Sequence, residues 1–297
     1  MEPECLLCGA RGAPFHHEEN GYRYLRCAAC GLVFLHPRPS DEELHALYQQ
    51  ECGVTFHHVV ETAEAVEKRL EARWRYRIVR PWIGGVPPTA LEIGCGAGYF
   101  LELLRSAGWK VAGSEAAGAY VRFARERLGL DVRESLEDLP GPFGAVFLFN
   151  VLSHLPHPER ELRAARERLA DGGVVVIETG NAAEVPPACV GWFGAPDHLA
   201  HYGQDILRDL LWRCGFRDVR VRRFNVEWQR RLLAMNPRKG GGAGGGGAPA
   251  VPRRRPAWKR AARSLLSRVL LGVRYAGGRV LADRRHFCTL IVAARKR

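Results

Sequence analysis

Three glycines at alternate positions, Gly94, Gly96 and Gly98, follow an acid, Glu92, in the run Thr89-Ala-Leu-Glu-Ile-Gly-Cys-Gly-Ala-Gly-Tyr-Phe100. Apolar Ala90, Leu91 and Ile93 read as a short buried strand, and Tyr99 to Ala107 reads as a helix. A strand that breaks into glycines and re-enters as a helix suits a nucleotide-type ligand. The missing side chains let the ligand reach the backbone, and N–H groups point outward from the helix N-terminus. A dinucleotide fingerprint needs glycine where Tyr99 stands, which disfavours NAD and FAD. Glu92 can accept hydrogen bonds from a cationic or amine-bearing ligand. Glu115 ends Val111-Ala-Gly-Ser-Glu115, one helix and one strand further on, where a carboxylate can take both hydroxyls of a ribose. An exposed loop acid is the plainer alternative, and that separation weighs against it.

A second constellation is metal-like. Cys5-Leu-Leu-Cys8-Gly9 and Cys27-Ala-Ala-Cys30-Gly31 set two C-x-x-C pairs 18 residues apart. Four thiolates with no open position suit structural zinc, and so small a unit needs the metal to fold. Each trailing glycine can take the positive φ that wraps a knuckle around an ion. A redox role is disfavoured because neither pair opens a helix after an apolar strand. His16 and His17, between the pairs, read as surface residues.

The third cluster is Trp192-Phe-Gly-Ala-Pro-Asp-His198-Leu-Ala-His201-Tyr202. His198 or His201 could deprotonate an acceptor hydroxyl or amine near neutral pH. Helix capping, or packing against Trp192, is the plainer alternative. The two histidines lack a third ligand nearby, so no zinc is expected between them.

The elements that must position these groups alternate regularly. Helices are expected at Thr62–Val79, Tyr99–Ala107, Ala119–Leu128, Pro158–Leu169 and Gly203–Cys214. Strands are expected at Tyr22–Leu25 and Leu32–Leu35 beside the second cysteine pair, at Trp109–Ser114, near Val132, and at Ala145–Phe149, Val174–Glu178, Val219–Phe224 and Phe287–Ala293. This β-α rhythm with apolar strands indicates a parallel sheet covered on both faces. The organisation reads as a zinc-ribbon unit over 1–39, a helical connector over 40–60 opened by the capping box Ser40-Asp-Glu-Glu43, and a main domain over 61–229. A glycine-rich linker and basic amphipathic helix follow over 230–286, before a last strand in 287–297.

Charge divides the chain unevenly. Residues 230–297 hold 18 Lys and Arg against one acid, Asp283, whereas the first 229 residues hold 26 basic and 31 acidic side chains. The acidic body argues against electrostatic nucleic-acid binding by the main domain. Three readings stay open for the basic helix: a cover for its own domain, a membrane-surface contact, or a contact for RNA. Met1–Ala13 lacks the layout of a signal peptide, and arginines interrupt the one long apolar stretch, Leu265–Leu281. Nine cysteines then point to reduced thiols or metal ligands in the cytoplasm.

The acid-x-Gly-x-Gly-x-Gly run of Glu92 to Gly98 resembles motif I of the class I S-adenosylmethionine-dependent methyltransferases. Phe147-Leu-Phe-Asn-Val-Leu-Ser-His154 resembles the family's fourth motif, with Asn150 and His154 at matching positions, Ser153 in place of a common Glu, and Gly144 where an Asp often stands. Asp171-Gly-Gly-Val174 and Thr179-Gly-Asn181 resemble its later turns. The resemblance covers residues 61–229 and 287–297. It implies an α/β, Rossmann-like, doubly wound seven-stranded sheet whose last strand is antiparallel and inserted beside the fifth. It also implies S-adenosylmethionine as methyl donor, with Glu115 on the ribose and Ser135 and Leu136 bordering the adenine, although Glu134 and Glu137 could serve in their place. His154 joins His198 and His201 as a candidate catalytic histidine. With the four-cysteine unit, the resemblance implies a bacterial branch acting on small molecules or sugars. The alternatives are a zinc-ribbon ribosomal RNA methyltransferase, or a non-catalytic binding protein that kept the fold.

Overall fold

Short apolar segments buried on both faces build the central sheet. The computed structural model describes residues 3–49, 63–139, 141–187, 190, 193–225, 269 and 287–297. The strands are β4 (Thr89–Ile93), β5 (Lys110–Ser114), β6 (Asp131–Arg133), β7 (Phe143–Phe149), β8 (Leu169–Gly180), β10 (Phe216–Asn225) and β11 (Phe287–Lys296). Their spatial order is β10-β11-β8-β7-β4-β5-β6. The β4–β5, β4–β7, β5–β6 and β7–β8 pairs are parallel, and β11 runs antiparallel between β8 and β10. This is the seven-stranded arrangement expected from the sequence.

The two-residue period of the strands divides the core into layers. Val146, Leu148, Val175, Ile177, Leu290 and Val292 share one apolar cluster with Leu162 of α5 (Pro158–Glu167) and with Leu207, Leu210 and Leu211 of α6 (Gln204–Arg213). Ala145, Phe147, Phe149, Val174 and Val176 share the other with Ile78 and Val79 of α2 (Ala63–Val79) and Phe100 and Leu104 of α3 (Tyr99–Ser106). The fifth helix of this layer system, α4 (Gly118–Glu126), packs Val121 and Ala124 against Leu101, Leu130 and Val132. Gly144 has a local reason to be glycine, since a Cβ there would run into the Pro87 carbonyl oxygen.

The N-terminal unit forms a second sheet of β1 (Phe15–Glu19), β2 (Tyr22–Arg26) and β3 (Val33–His36). Its fourth strand, β9 (Ala200–His201), comes from the main domain and pairs Val33 with His201 and Phe34 with Ala200. Leu25, Leu32 and Phe34 sit in the same apolar cluster as Leu207 and Leu211, so the unit shares a core with the sheet's outer layer. Ser40 and Glu43 cap helix α1 over 41–49 as expected: the Ser40 N–H donates to Glu43 Oε2 (2.7 Å) and the Glu43 N–H to Ser40 Oγ (3.1 Å).

Three expectations need correction. Helix α5 ends at Glu167 and β8 begins at Leu169, passing through Asp171-Gly-Gly, where Gly172 takes φ 69°. Strands β1 and β9 add to those expected. His17 is not a bare surface residue, because its ring stacks on Phe193 at 4.3 Å. The glycine-rich linker and basic helix of 230–286 lie outside the described residues apart from Val269. Among the described residues, no helix is long and apolar enough to cross a membrane.

Candidate active site

The turn after β4 is tied to the end of β5 twice. Gly94 and Cys95 both donate their N–H to the Ser114 carbonyl, at 2.8 and 3.0 Å. The Gly96 N–H then donates to Glu115 Oε2 at 2.7 Å, while Glu115 Oε1 accepts from the Ala117 N–H at 2.9 Å. One carboxylate therefore joins two turns at the C-terminal edge of the sheet, where ligands of doubly wound folds bind. A carboxylate oxygen has two lone pairs, so each keeps one for a further donor such as a ribose hydroxyl. Burial raises the Glu115 carboxyl above its ordinary value against the pull of these N–H donors.

The three glycines have different tasks. A Cβ at Gly94 would strike Val151, and one at Gly98 would come within 2.7 Å of Leu130. At Gly96, with φ 53°, it would meet nothing within 4 Å. Gly94 and Gly98 are thus fitted to the protein, and Gly96 faces the open space a ligand can enter. Glu92 borders that turn at 4% exposure, and its Oε2 finds no hydrogen-bond partner among the described residues. Burial pushes its carboxyl up to about 8, Arg75 opposing and Glu115 adding to the rise. A buried carboxylate oxygen left without a partner fits a positively charged ligand group.

Behind the turn lies an ion-pair network that the sequence did not reveal. Arg75 contacts Glu178 Oε2 at 2.8 Å and Glu71 Oε1 at 3.0 Å, and its guanidinium lies 4.7 Å from the centroid of the Phe149 ring. Asn150, exposed at the end of β7 with φ 57°, donates its N–H to the Glu178 carbonyl at 2.8 Å. Ser135 is exposed and its Oγ accepts the Glu137 N–H at 3.1 Å. Leu136 is half-buried, and its carbonyl accepts from Arg168 at 3.2 Å.

His154 and His198 converge on Asp197. His154 Nδ1 lies 3.4 Å from Asp197 Oδ2 and 3.1 Å from the Asp197 carbonyl oxygen, and His198 Nδ1 lies 3.3 Å from Asp197 Oδ1. The two rings stand 4.2 Å apart. Burial, helped by His198, holds His154 down to about 4. Burial raises the Asp197 carboxyl, but the hydrogen bond and charge of His198 and the charge of His154 outweigh it and hold that group below its usual value. His201 is placed differently. It is 5% exposed on β9, between Tyr24 (5.2 Å) and Phe193 (5.1 Å), and burial, followed by the charge of His198, holds it down to about 3. The acid missed in the sequence, Asp197, stands directly before His198.

The glycine turn and the histidine cluster are neighbours. Gly94 abuts Val151, three residues before His154. Two adjacent residues of α1 reach both sides: the Tyr48 ring is 6.0 Å from His154, and Gln49 Nε2 donates to the Ala116 carbonyl at 3.1 Å. Phe193 and Trp192 were both named in the sequence cluster; Trp192 lies outside the described residues.

The four N-terminal sulfurs lie within 4.8 Å of one another, with Cys5–Cys30 at 3.6 Å and Cys8–Cys27 at 3.5 Å. Ligands about 2.3 Å from zinc in a tetrahedron stand about 3.8 Å apart. The knuckles repeat each other: Gly9 donates to Cys5 and Gly31 to Cys27, with φ of 70° and 78°. The four thiols can hold a zinc ion. The unit also grips the histidine loop, since Glu19 accepts N–H bonds from Phe193, Gly194 and Ala195, and the Tyr24 hydroxyl donates to the His198 carbonyl at 2.9 Å.

Residues 63–221 match the family described as "Methyltransferase domain". The chain is 29% identical to a tRNA U34 carboxymethyltransferase of Enterobacter sp. (strain 638), over 52% of this chain and 53% of that protein. It is 30% identical to a ubiquinone biosynthesis O-methyltransferase of Pseudomonas paraeruginosa, over 31% of this chain and 44% of that one. The chain thus spans about half the length of these relatives. A crystal structure of a SAM-dependent methyltransferase from Archaeoglobus fulgidus shares the fold, with a TM-score of 0.51 at 21% identity, covering 82% of this chain and 99% of that one.

Proposed function

We propose that this chain, which belongs to the class I S-adenosylmethionine-dependent methyltransferase family, transfers a methyl group to a small-molecule or sugar-type acceptor held at the histidine loop. The observation that carries the reading is the contact of Gly94 with Val151, which sets the open Gly96 turn beside the His154–Asp197–His198 cluster.

The cofactor supplies an electrophilic methyl on a positively charged sulfur, and that charge disappears as the methyl leaves. Glu115 takes the ribose hydroxyls, Gly96 lets the nucleoside approach the backbone, and Glu92 faces the positive charge. Ser135, Leu136 and Asn150 border the same ligand. His198, oriented by Asp197, takes the proton from an acceptor hydroxyl or amine as the new bond to carbon forms, and Asp197 stabilises the resulting imidazolium. His154 supports this pair as a neutral ring. His201, buried in β9, is assigned to packing and not to proton transfer. The four cysteines hold structural zinc, and we assign the protein to the cytoplasm, where such thiols stay reduced.

The test offers methyl-labelled S-adenosylmethionine and the purified protein to a cell extract, with and without RNase. Label recovered in small metabolites is the expected result. Label lost on RNase treatment would instead point to RNA, the acceptor class named for the Enterobacter relative. No transfer at all, with the cofactor still bound, would leave a binding protein that kept the fold.

A further inference from the structure

We propose that His154, Asp197 and His198 form a binding site for a divalent transition-metal ion. The sequence argued against a metal here because His198 and His201 lack a third ligand. The structure replaces His201 with Asp197 and brings in His154 from the end of β7, placing one ligand atom from each of the three within 4.8 Å of the others.

Charge-assisted N–H···O bonds are about 2.7–2.9 Å long, whereas His154 Nδ1 lies 3.4 Å from Asp197 Oδ2 and His198 Nδ1 lies 3.3 Å from Asp197 Oδ1, so neither ring closes a tight ion pair with the carboxylate set between them. Two imidazoles and one carboxylate suit zinc, cobalt, manganese or ferrous iron more than magnesium or calcium. Three protein ligands leave a position open, the pattern of a catalytic and not a structural ion. The side chains are 19%, 15% and 20% exposed, so that position can be reached from outside. The Asp197 carbonyl now lies 3.1 Å from His154 Nδ1. Coordination through that nitrogen moves the ring proton to Nε2 and breaks this contact.

Through its open position the ion would bind an acceptor hydroxyl or carboxylate oxygen and favour its deprotonated form, and in the loaded protein it would take over from His198 the task of removing the acceptor proton. That last step rests on the acceptor reading above; the site itself does not.

The experiment strips the full-length protein with chelator, reloads it with cobalt, and measures bound metal and the visible spectrum. The wild type should hold about two ions per chain, one with sulfur-to-cobalt charge transfer from the cysteine site and one without it. His154→Ala/His198→Ala should hold about one, and Asp197→Asn should weaken the second ion by more than about tenfold. An unchanged sulfur band in the variants shows that the fold has survived. One ion per chain in the wild type, or a second ion that persists in the double variant, would overturn the site. Methyl transfer that fails with both ions counted speaks against the acceptor reading and leaves the metal site standing.

Discussion

Glu19 Oε2 stands 2.6 Å from the backbone nitrogen of Gly194, across 175 residues of sequence. The same carboxylate accepts from Phe193 and Ala195, each at 2.9 Å, so three successive N–H groups of the histidine loop are satisfied by one side chain of the cysteine unit. Asn20 adds a bond from its Nδ2 to the Ala195 carbonyl at 3.0 Å. The histidine loop is therefore held by the N-terminal unit, while the glycine turn is held by the sheet.

Glu19→Ala should separate those two sides. Donors left without an acceptor cost about 1–3 kcal/mol, or a few degrees in Tm. Hydrogen exchange at Phe193–Ala195 should quicken and methyl transfer should fall, while the Kd for S-adenosylmethionine stays within about twofold of wild type. An equal loss of cofactor affinity would show that the loop and the glycine turn are not held independently.

Zinc removal should act in the same direction and further. The first knuckle precedes β1 and the second joins β2 to β3, and β3 pairs with β9, so losing the ion loosens the strand that carries His201 and the loop before it. Chelator treatment is expected to abolish transfer and lower Tm, with recovery on adding zinc. Full activity in protein shown by elemental analysis to be zinc-free would remove the metal from the structural account.

Glu115→Ala should weaken S-adenosylmethionine by about 10–100-fold, the range of one or two hydrogen bonds to a charged group. Gly96→Val tests the same space differently. Among the described residues, no atom beyond its chain neighbours lies within 4 Å of the added Cβ, so the branched side chain intrudes mainly on the ligand, with some strain from φ 53°. Calorimetry on each variant checks both, and undiminished affinity in the pair would sink the cofactor assignment.

Much of this site was legible because its signals are local. Cys5-x-x-Cys8-Gly9 and Cys27-x-x-Cys30-Gly31 each specify a knuckle within five residues, and the glycines took the φ that spacing required. Glu115 was legible because one helix and one strand fix its place beside Gly96. Other partners were hidden by distance. His154 and Asp197 meet across 43 residues, and Glu19 meets Gly194 across 175. Strand β9 has two residues and no period to read. His198 and His201 look alike in sequence, and only pairing with Val33 shows that one of them is buried in a sheet.

Glu92 gives a pH signature to cofactor binding. Its carboxyl is raised to about 8, and a positively charged ligand favours the ionised form. Affinity should therefore rise as pH climbs towards about 8, by up to about tenfold per unit, and level off above it. Glu92→Gln should flatten the profile. Calorimetry in buffers of different ionisation enthalpy should also detect proton release on binding in the wild type, and its absence below pH 8 would remove Glu92 from the cationic side of the ligand.

In the metal-free protein the buried histidines should make the fold less stable as pH falls. His154 is held down to about 4 and His201 to about 3, mainly by burial, in surroundings that include His198, Asp197 and His16. In the unfolded chain both titrate near the ordinary histidine value of about 6.5. Between that pH and about 4 the unfolded state binds more protons than the native one, so stability falls as pH falls through this window. His201→Gln keeps a polar ring-sized group on β9 but cannot take the proton. It should lower stability at pH 8 by leaving the pocket between Tyr24 and Phe193 imperfectly filled, and should reduce the slope of stability against pH between about 6 and 4. Urea denaturation at several pH values measures both. A slope equal to that of the wild type would mean that His201 takes up its proton as readily in the native state as in the unfolded chain, and hence that β9 leaves it open to water.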